Sequence, residues 1–244
     1  MPQTRTIRTR TEMDQAYFDT LVQLIRSQGY RELAAATVFA EALHLVPTIK
    51  FKKKVVQHID EEMEHFEACC ILYDSIDAGD LDQYCSRLLR EQRPIPAIGS
   101  FMELGVAQFL YDRASGFQLR EYENSSFDPY CRIIGKILEE EEGHESFGAE
   151  IMIEHCRTPE QRSNTQRYFN KWLAVSLRSF GRPQTAGNRY AISAGLKTRD
   201  SSGVAQDYVD SLKTAMRVSG LVFPDRACLH TAGTETAADI DLSL

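Results

Sequence analysis

Two short stretches of this 244-residue chain carry residues of the right kind and spacing for chemistry. One is Asp60-Glu61-Glu62-Met63-Glu64-His65 and the other is Glu139-Glu140-Glu141-Glu142-Gly143-His144. Each places a glutamate three residues before a histidine, and on a helix that interval puts carboxylate and imidazole on one face, a turn apart. Two such faces can hold a pair of metal ions when each of two further helices adds one carboxylate. The reading therefore turns on whether the chain supplies those extra acids at the right height.

Motif alone does not decide this, because a third Glu-x-x-His occurs at Glu41 to His44. Register does. In an antiparallel helix pair, residues equally far from the turn lie side by side, and each residue of mismatch moves them ~1.5 Å apart along the axis. Glu32 and Glu62 lie fifteen residues either side of Pro47, so they are level. Glu41 is nine residues out of that register, roughly 13 Å by helix rise, and with His44 it reads as helix-end polarity. Around Ser126, Glu141 lies fifteen residues after and Asp112 fourteen before, whereas Glu103 lies twenty-three before and suits a capping role. The six expected metal ligands, which are also the expected catalytic set, are Glu32, Glu62, His65, Asp112, Glu141 and His144. Asp112 stands between Phe109-Leu110-Tyr111 and Ala114, an apolar setting in which a carboxylate needs a cation. Cys69, one turn past His65, is expected to pack, and His58, one turn before Glu62, could support a ligand. The other acids of the 139–142 run are expected to face solvent.

The elements that must position these residues are helical throughout. Apolar spacing predicts one bent helix or two stacked ones over 12–45, with a break at Gly29. A second helix follows over 48–75 after Pro47-Thr48, with a basic outer face (Lys50, Lys52, Lys53, Lys54). A short helix is expected over 81–91, a connector at Arg93-Pro94-Ile95-Pro96, and a third long helix from Ser100 to Tyr122 with a capping box at Glu103. Asp128-Pro129 opens a fourth to Cys156, and Thr158-Pro159 a fifth to Phe180. Residues 181–203 read as a long loop or cover, followed by a last helix over 204–218. No strand alternation occurs, so the expected class is all-α. The expectation is a four-helix bundle with extra C-terminal helices, one domain over 1–230 and a disordered tail over 231–244.

Composition narrows the function classes. A net charge of −7 disfavours nucleic acid, and no apolar run reaches membrane-spanning length. The N-terminus lacks the apolar stretch of a secretory signal, and six cysteines without C-x-x-C spacing suit a cytoplasmic protein with reduced, buried thiols.

The chain resembles the catalytic-subunit family of phenylacetyl-CoA epoxidase, ferritin-like di-iron monooxygenases. The segments that carry the resemblance are Arg31-Glu32-Leu33, Val46-Pro47-Thr48, the stretch from Asp60 to His65, Phe109-Leu110-Tyr111-Asp112, and Pro129-Tyr130 through to His144. Trp172 to Gly181, Tyr208-Val209-Asp210 and Leu221-Val222-Phe223-Pro224-Asp225 add to it, over roughly residues 20 to 230. The resemblance implies the same six ligands and leads one to expect lysine at position 58, where this chain has His58. It also implies a centre of two Fe ions, O₂ as co-substrate, and an apolar small-molecule substrate that is aromatic or linked to an acyl-CoA or carrier. Electrons would come from a separate reductase, since the chain has no nucleotide-binding fingerprint. A homo-oligomer or a helical partner subunit is implied as well. Within the same fold, iron oxidation and storage or peroxide reduction is the alternative, and a metal-free scaffolding subunit is the non-enzyme one. A radical-generating role is disfavoured because Cys69 stands where that kind of site carries tyrosine.

Overall fold

The structure is a computed structural model and describes residues 5–91, 96–230 and 240–243. It is all-α, with no β-strand among the described residues, and of the ferritin-like kind: two pairs of long helices followed by additional C-terminal helices. In chain order these are α1 (Gln15–Ala42), α2 (Ile49–Asp74), α3 (Leu81–Glu91), α4 (Phe101–Leu119), α5 (Asp128–Glu154), α6 (Pro159–Ser179), α7 (Ala186–Ser193), α8 (Ser201–Ser219) and α9 (Arg226–His230). Contacts group the chain into two compact units. The first comprises Met1–Phe101, Tyr122–Ile137 and Ser193–Lys197, and the second Met102–Glu121, Leu138–Ile192 and Thr198–Leu244.

In the first unit α1 and α2 form a helical hairpin against which α3 packs. Asp14 caps α1 by accepting the Tyr17 amide at 2.8 Å, and Thr48 caps α2 through the Phe51 amide at 3.3 Å. No break occurs at Gly29: α1 runs through it without interruption. A Cβ there would meet Leu81 Cδ2 at 3.0 Å and Cys69 and Phe66 at 3.5 Å, so the glycine serves close packing of α1 on its neighbours. The turn before α5 is pinned from two sides. Ser126 accepts the Ile7 amide at 2.7 Å on its carbonyl and donates its own amide to Gly195 at 2.7 Å, while its hydroxyl bonds Tyr17 at 2.8 Å.

In the second unit α4 is buried around most of its circumference, from Glu103 through Asp112 and again at Ala114 to Gly116, as expected of a helix apolar on nearly all sides. From the C-terminal helices, Trp172 of α6 donates to Glu103 at 3.1 Å and Tyr208 of α8 donates to the Leu110 carbonyl at 3.0 Å. Lys171 also bonds Glu103, so that acid has a buried tertiary role besides any at the helix start. Thr158 and Gln161 form the capping box of α6.

The C-terminal third differs from the sequence reading. Residues 181–203 are not one loop, because they contain α7 and the first turn of α8. Thr185 accepts the Asn188 amide at 3.1 Å and so starts α7, a cap signal hidden among Gly, Ser and Thr residues. Helix α8 begins at Ser201 because Asp200 accepts the Ser202 amide, and it ends at Gly220 with φ of 71°. Helix α9 follows beyond the last helix expected from the sequence. Of the tail expected to be disordered, residues 231–239 and 244 lie outside the described residues. In its described part Ile240 is buried, its carbonyl accepts from Arg226 at 2.7 Å, and the Asp241 amide donates to Gln206 at 2.7 Å. The expected connector at 93–96 also lies outside the described residues apart from Pro96.

Candidate metal centre

Helices α1 and α2 bring three of the expected residues together. Glu32, Glu62 and His65 are each at most 2% exposed and offer ligand atoms that all lie within 4.8 Å of one another. His65 Nδ1 stands 3.7 Å from Glu32 Oε2 and 3.9 Å from Glu62 Oε2. The Gln28 amide donates to the other oxygen of Glu32, and Arg31 donates to the Gln28 side-chain carbonyl at 2.6 Å. Arg31 thus fixes which way the Gln28 amide points, and Gln28 fixes Glu32. Gln28 escaped the sequence reading, although its position four residues before Glu32 puts it on the same face.

The two glutamates divide their protons unequally. Burial pushes the Glu62 carboxyl well above the usual range, and the negative charge of Glu32 pushes it further. Burial also raises Glu32, but hydrogen bonding and charge from His65, Glu62 and Arg31 outweigh it and hold Glu32 below the ordinary value. Two buried acids this close share a proton unless a cation takes its place. Burial raises the Cys69 thiol well above its usual value too, which suits a packing role against Gly29. His58 is fully buried one turn before Glu62.

The second unit holds a triad of the same kind, with aspartate in place of one glutamate. Asp112, Glu141 and His144 are at most 3% exposed, with ligand atoms all within 4.8 Å of one another, and His144 Nδ1 lies 3.9 Å from Glu141 Oε2. Of the acidic run, only Glu141 is buried; Glu139 and Glu142 are exposed and Glu140 is intermediate. Arg113 and Glu145, the residues next to Asp112 and His144, form an ion pair between α4 and α5, and Arg113 Nε also donates to Ser211 of α8 at 2.8 Å. One turn further on, α4 and α5 come into backbone contact. A Cβ on Gly148 would sit 2.4 Å from the Phe109 amide nitrogen and 2.7 Å from the Gly105 carbonyl oxygen. No pattern of types or spacing marked Gly105 or Gly148 in the sequence, because a helical glycine carries no sign of what lies opposite it.

Glu41 and His44 stay apart from these groups: both are exposed, and the His44 ring bonds the Glu41 carbonyl at 2.8 Å. The cysteines are all free, with Cys69, Cys85 and Cys156 buried and Cys228 exposed, so the expectation of buried thiols fails at Cys228.

Each triad offers two carboxylates and one imidazole in a site closed to water. That is a hard oxygen and nitrogen donor set of the kind that suits iron or manganese, and enclosed acids of this number call for a cation. Helical carboxylate proteins that hold metal ions use buried carboxylate and histidine groups of this kind on pairs of helices. Residues 3–237 match the family model described as phenylacetic acid catabolic protein, and the chain belongs to that family. It is also similar to one of the subunits of 1,2-phenylacetyl-CoA epoxidase from Escherichia coli (strain K12), at 21% identity over 221 residues, covering 87% of this chain and 71% of that protein. No helix among the described residues is long and apolar enough to cross a membrane.

Proposed function

We propose that this chain is a di-iron oxygenase that activates O₂ and inserts one oxygen atom into an apolar organic substrate. The observation that carries the reading is the repeated triad: two acids and an imidazole, buried, occurring twice in one chain of this family. Glu32, Glu62 and His65 would hold one ion and Asp112, Glu141 and His144 the other, in a chain whose residues 1–230 are read as one domain. Bound in pairs among carboxylates, iron supplies two-electron reduction of O₂, which organic side chains cannot perform.

The chain's own residues prepare that site in three ways. Four carboxylates balance the charge of two divalent ions, two imidazoles add nitrogen donors, and carboxylates can change between one-oxygen and two-oxygen binding as charge changes. Gln28 occupies one oxygen of Glu32 and leaves the other facing His65, which restricts the approach of Glu32. Burial of all six side chains keeps bulk water from the reacting groups, as an oxygenase needs to avoid losing its oxidant unproductively.

The name of the similar protein supports an aromatic acyl-CoA substrate and oxygen entry at a carbon–carbon double bond. That protein is one component of an enzyme with several, which supports partners for this chain: a separate reductase as electron source and a further helical protein or second copy. The test is to reduce the iron-loaded chain chemically, add ¹⁸O₂, and analyse a panel of aromatic acyl-CoA thioesters by mass spectrometry. One ¹⁸O per product molecule is expected, with no product from Glu62→Ala. Iron turnover without any oxygenated product would favour iron oxidation instead.

A further inference from the structure

Helix α2 has a second face unrelated to metal. Ile49, Val56, Met63 and Ile71 are exposed by 73%, 49%, 48% and 72%, and they make up four of the seven large apolar side chains exposed among the described residues. Their seven- and eight-residue intervals align them in one stripe along the helix. Ile49, Val56 and Ile71 each lie nine residues from His58, His65 and Glu62 respectively, two and a half turns, so the stripe faces directly away from the buried side. An exposed apolar stripe of this kind, rimmed by charge, marks an interaction surface.

The charges choose the occupant. Along α2, Lys50, Lys52, Lys53 and Lys54 occupy one half, and Asp60, Glu61, Glu64 and Glu67 the other. Lys53, Asp60, Glu64 and Glu67 are exposed among the apolar residues of the stripe. The acidic half would repel an anionic lipid surface. A second copy of α2 laid parallel would oppose like charges throughout. Laid antiparallel about an axis at Asp60, it brings Ile49 to Ile71 of the second copy, Lys53 to Glu67, and Val56 to Glu64 and Met63. We propose that this face of α2 is a self-association surface on which a second copy of the chain docks antiparallel. The stripe spans ~33 Å by helix rise, the length of an ordinary helix seam. Asp60 meeting its own copy on the axis is the one like-charge encounter.

Sedimentation velocity on the full chain as isolated tests this, and it needs neither iron nor substrate. The expected result is a dimer at concentrations on the order of tens of micromolar, as suits a modest seam. Lys53→Glu and Glu67→Lys, both at exposed positions, should each weaken it by about tenfold or more, since each turns two opposite-charge pairs into like-charge pairs. Mixing the two variants should restore the dimer, because every charge then meets its opposite. Asp60→Asn should tighten it. Circular dichroism confirms that each variant is folded. A monomeric wild type, dimers indifferent to both charge reversals, or a mixture that stays monomeric would overturn the proposal. A different protein docking on the stripe would show the first of these patterns.

Discussion

The two triads have the same chemistry, yet one is built with glutamate on its non-motif helix and the other with aspartate. Helix spacing accounts for the difference. Between α4 and α5, Gly148 lets backbone meet backbone at Phe109, one turn from His144 and from Asp112, so a short aspartate at 112 suffices. At the α1 glycine the nearest atoms are side chains, the closest Leu81 Cδ2 at 3.0 Å, and the longer glutamate at 32 is needed, steadied by Gln28. The lesson is that carboxylate length follows backbone separation, and that glycines away from the triads set the separation.

The largest expected effect comes from breaking that difference at its root. Gly148→Ala forces a Cβ into backbone atoms that cannot turn aside, and overpacking of this kind costs on the order of 3 kcal/mol or more. A melting temperature lower by roughly 10 °C is expected at this chain length. Gly29→Ala meets the movable end of Leu81 and gains about 1 kcal/mol of helix propensity, so its melt should stay near the wild type. Equal losses in the two variants would remove the spacing account.

Next come the ligand lengths. Glu32→Asp should leave its acid short, and Asp112→Glu should crowd its site, so each should lower bound iron by about one ion per chain by mass spectrometry of metals. If either variant kept its full metal content, length would not be matched to spacing.

A smaller effect is expected from Glu62→Gln in the metal-free protein. The folded pKa of Glu62 is raised, so its contribution to stability is fully present below the unfolded carboxyl range and is lost as pH rises through the folded value. A glutamine carries no such loss and can still donate to Glu32. The metal-free variant should therefore melt higher than wild type at neutral pH and above, and the gap should close in acid. A variant that melts lower at neutral pH would contradict the proton sharing described for this pair. The smallest effect sharpens the contrast with buried sites: Lys136→Ala removes an exposed pair with Glu64 and should shift stability by less than ~1 kcal/mol.

Much of this was legible in the sequence, and for a physical reason. Helix rise is constant, so equal distances from Pro47 and from Ser126 were enough to group Glu32 with Glu62 and Asp112 with Glu141, and to separate Glu41 from both. Capping chemistry located the starts of α2 and α6 because Thr48 and Thr158 stand beside the prolines. Gly29 was misjudged because low helix propensity was weighed without the neighbour that needs the space. The contacts of Glu103 with Trp172 and Lys171 join residues nearly seventy positions apart, and no periodicity reports such a pair. Helices α7 and α9 are short, and their caps were indistinguishable from loop composition.

The central claim is that two triads each hold one iron. Its most direct measurement is iron content after anaerobic loading with Fe(II) and gel filtration, on wild type, Glu32→Ala and Asp112→Ala. The account predicts about two ions per chain for wild type and about one for each variant. A wild type that retains no iron, or variants that both retain the full amount, would contradict it.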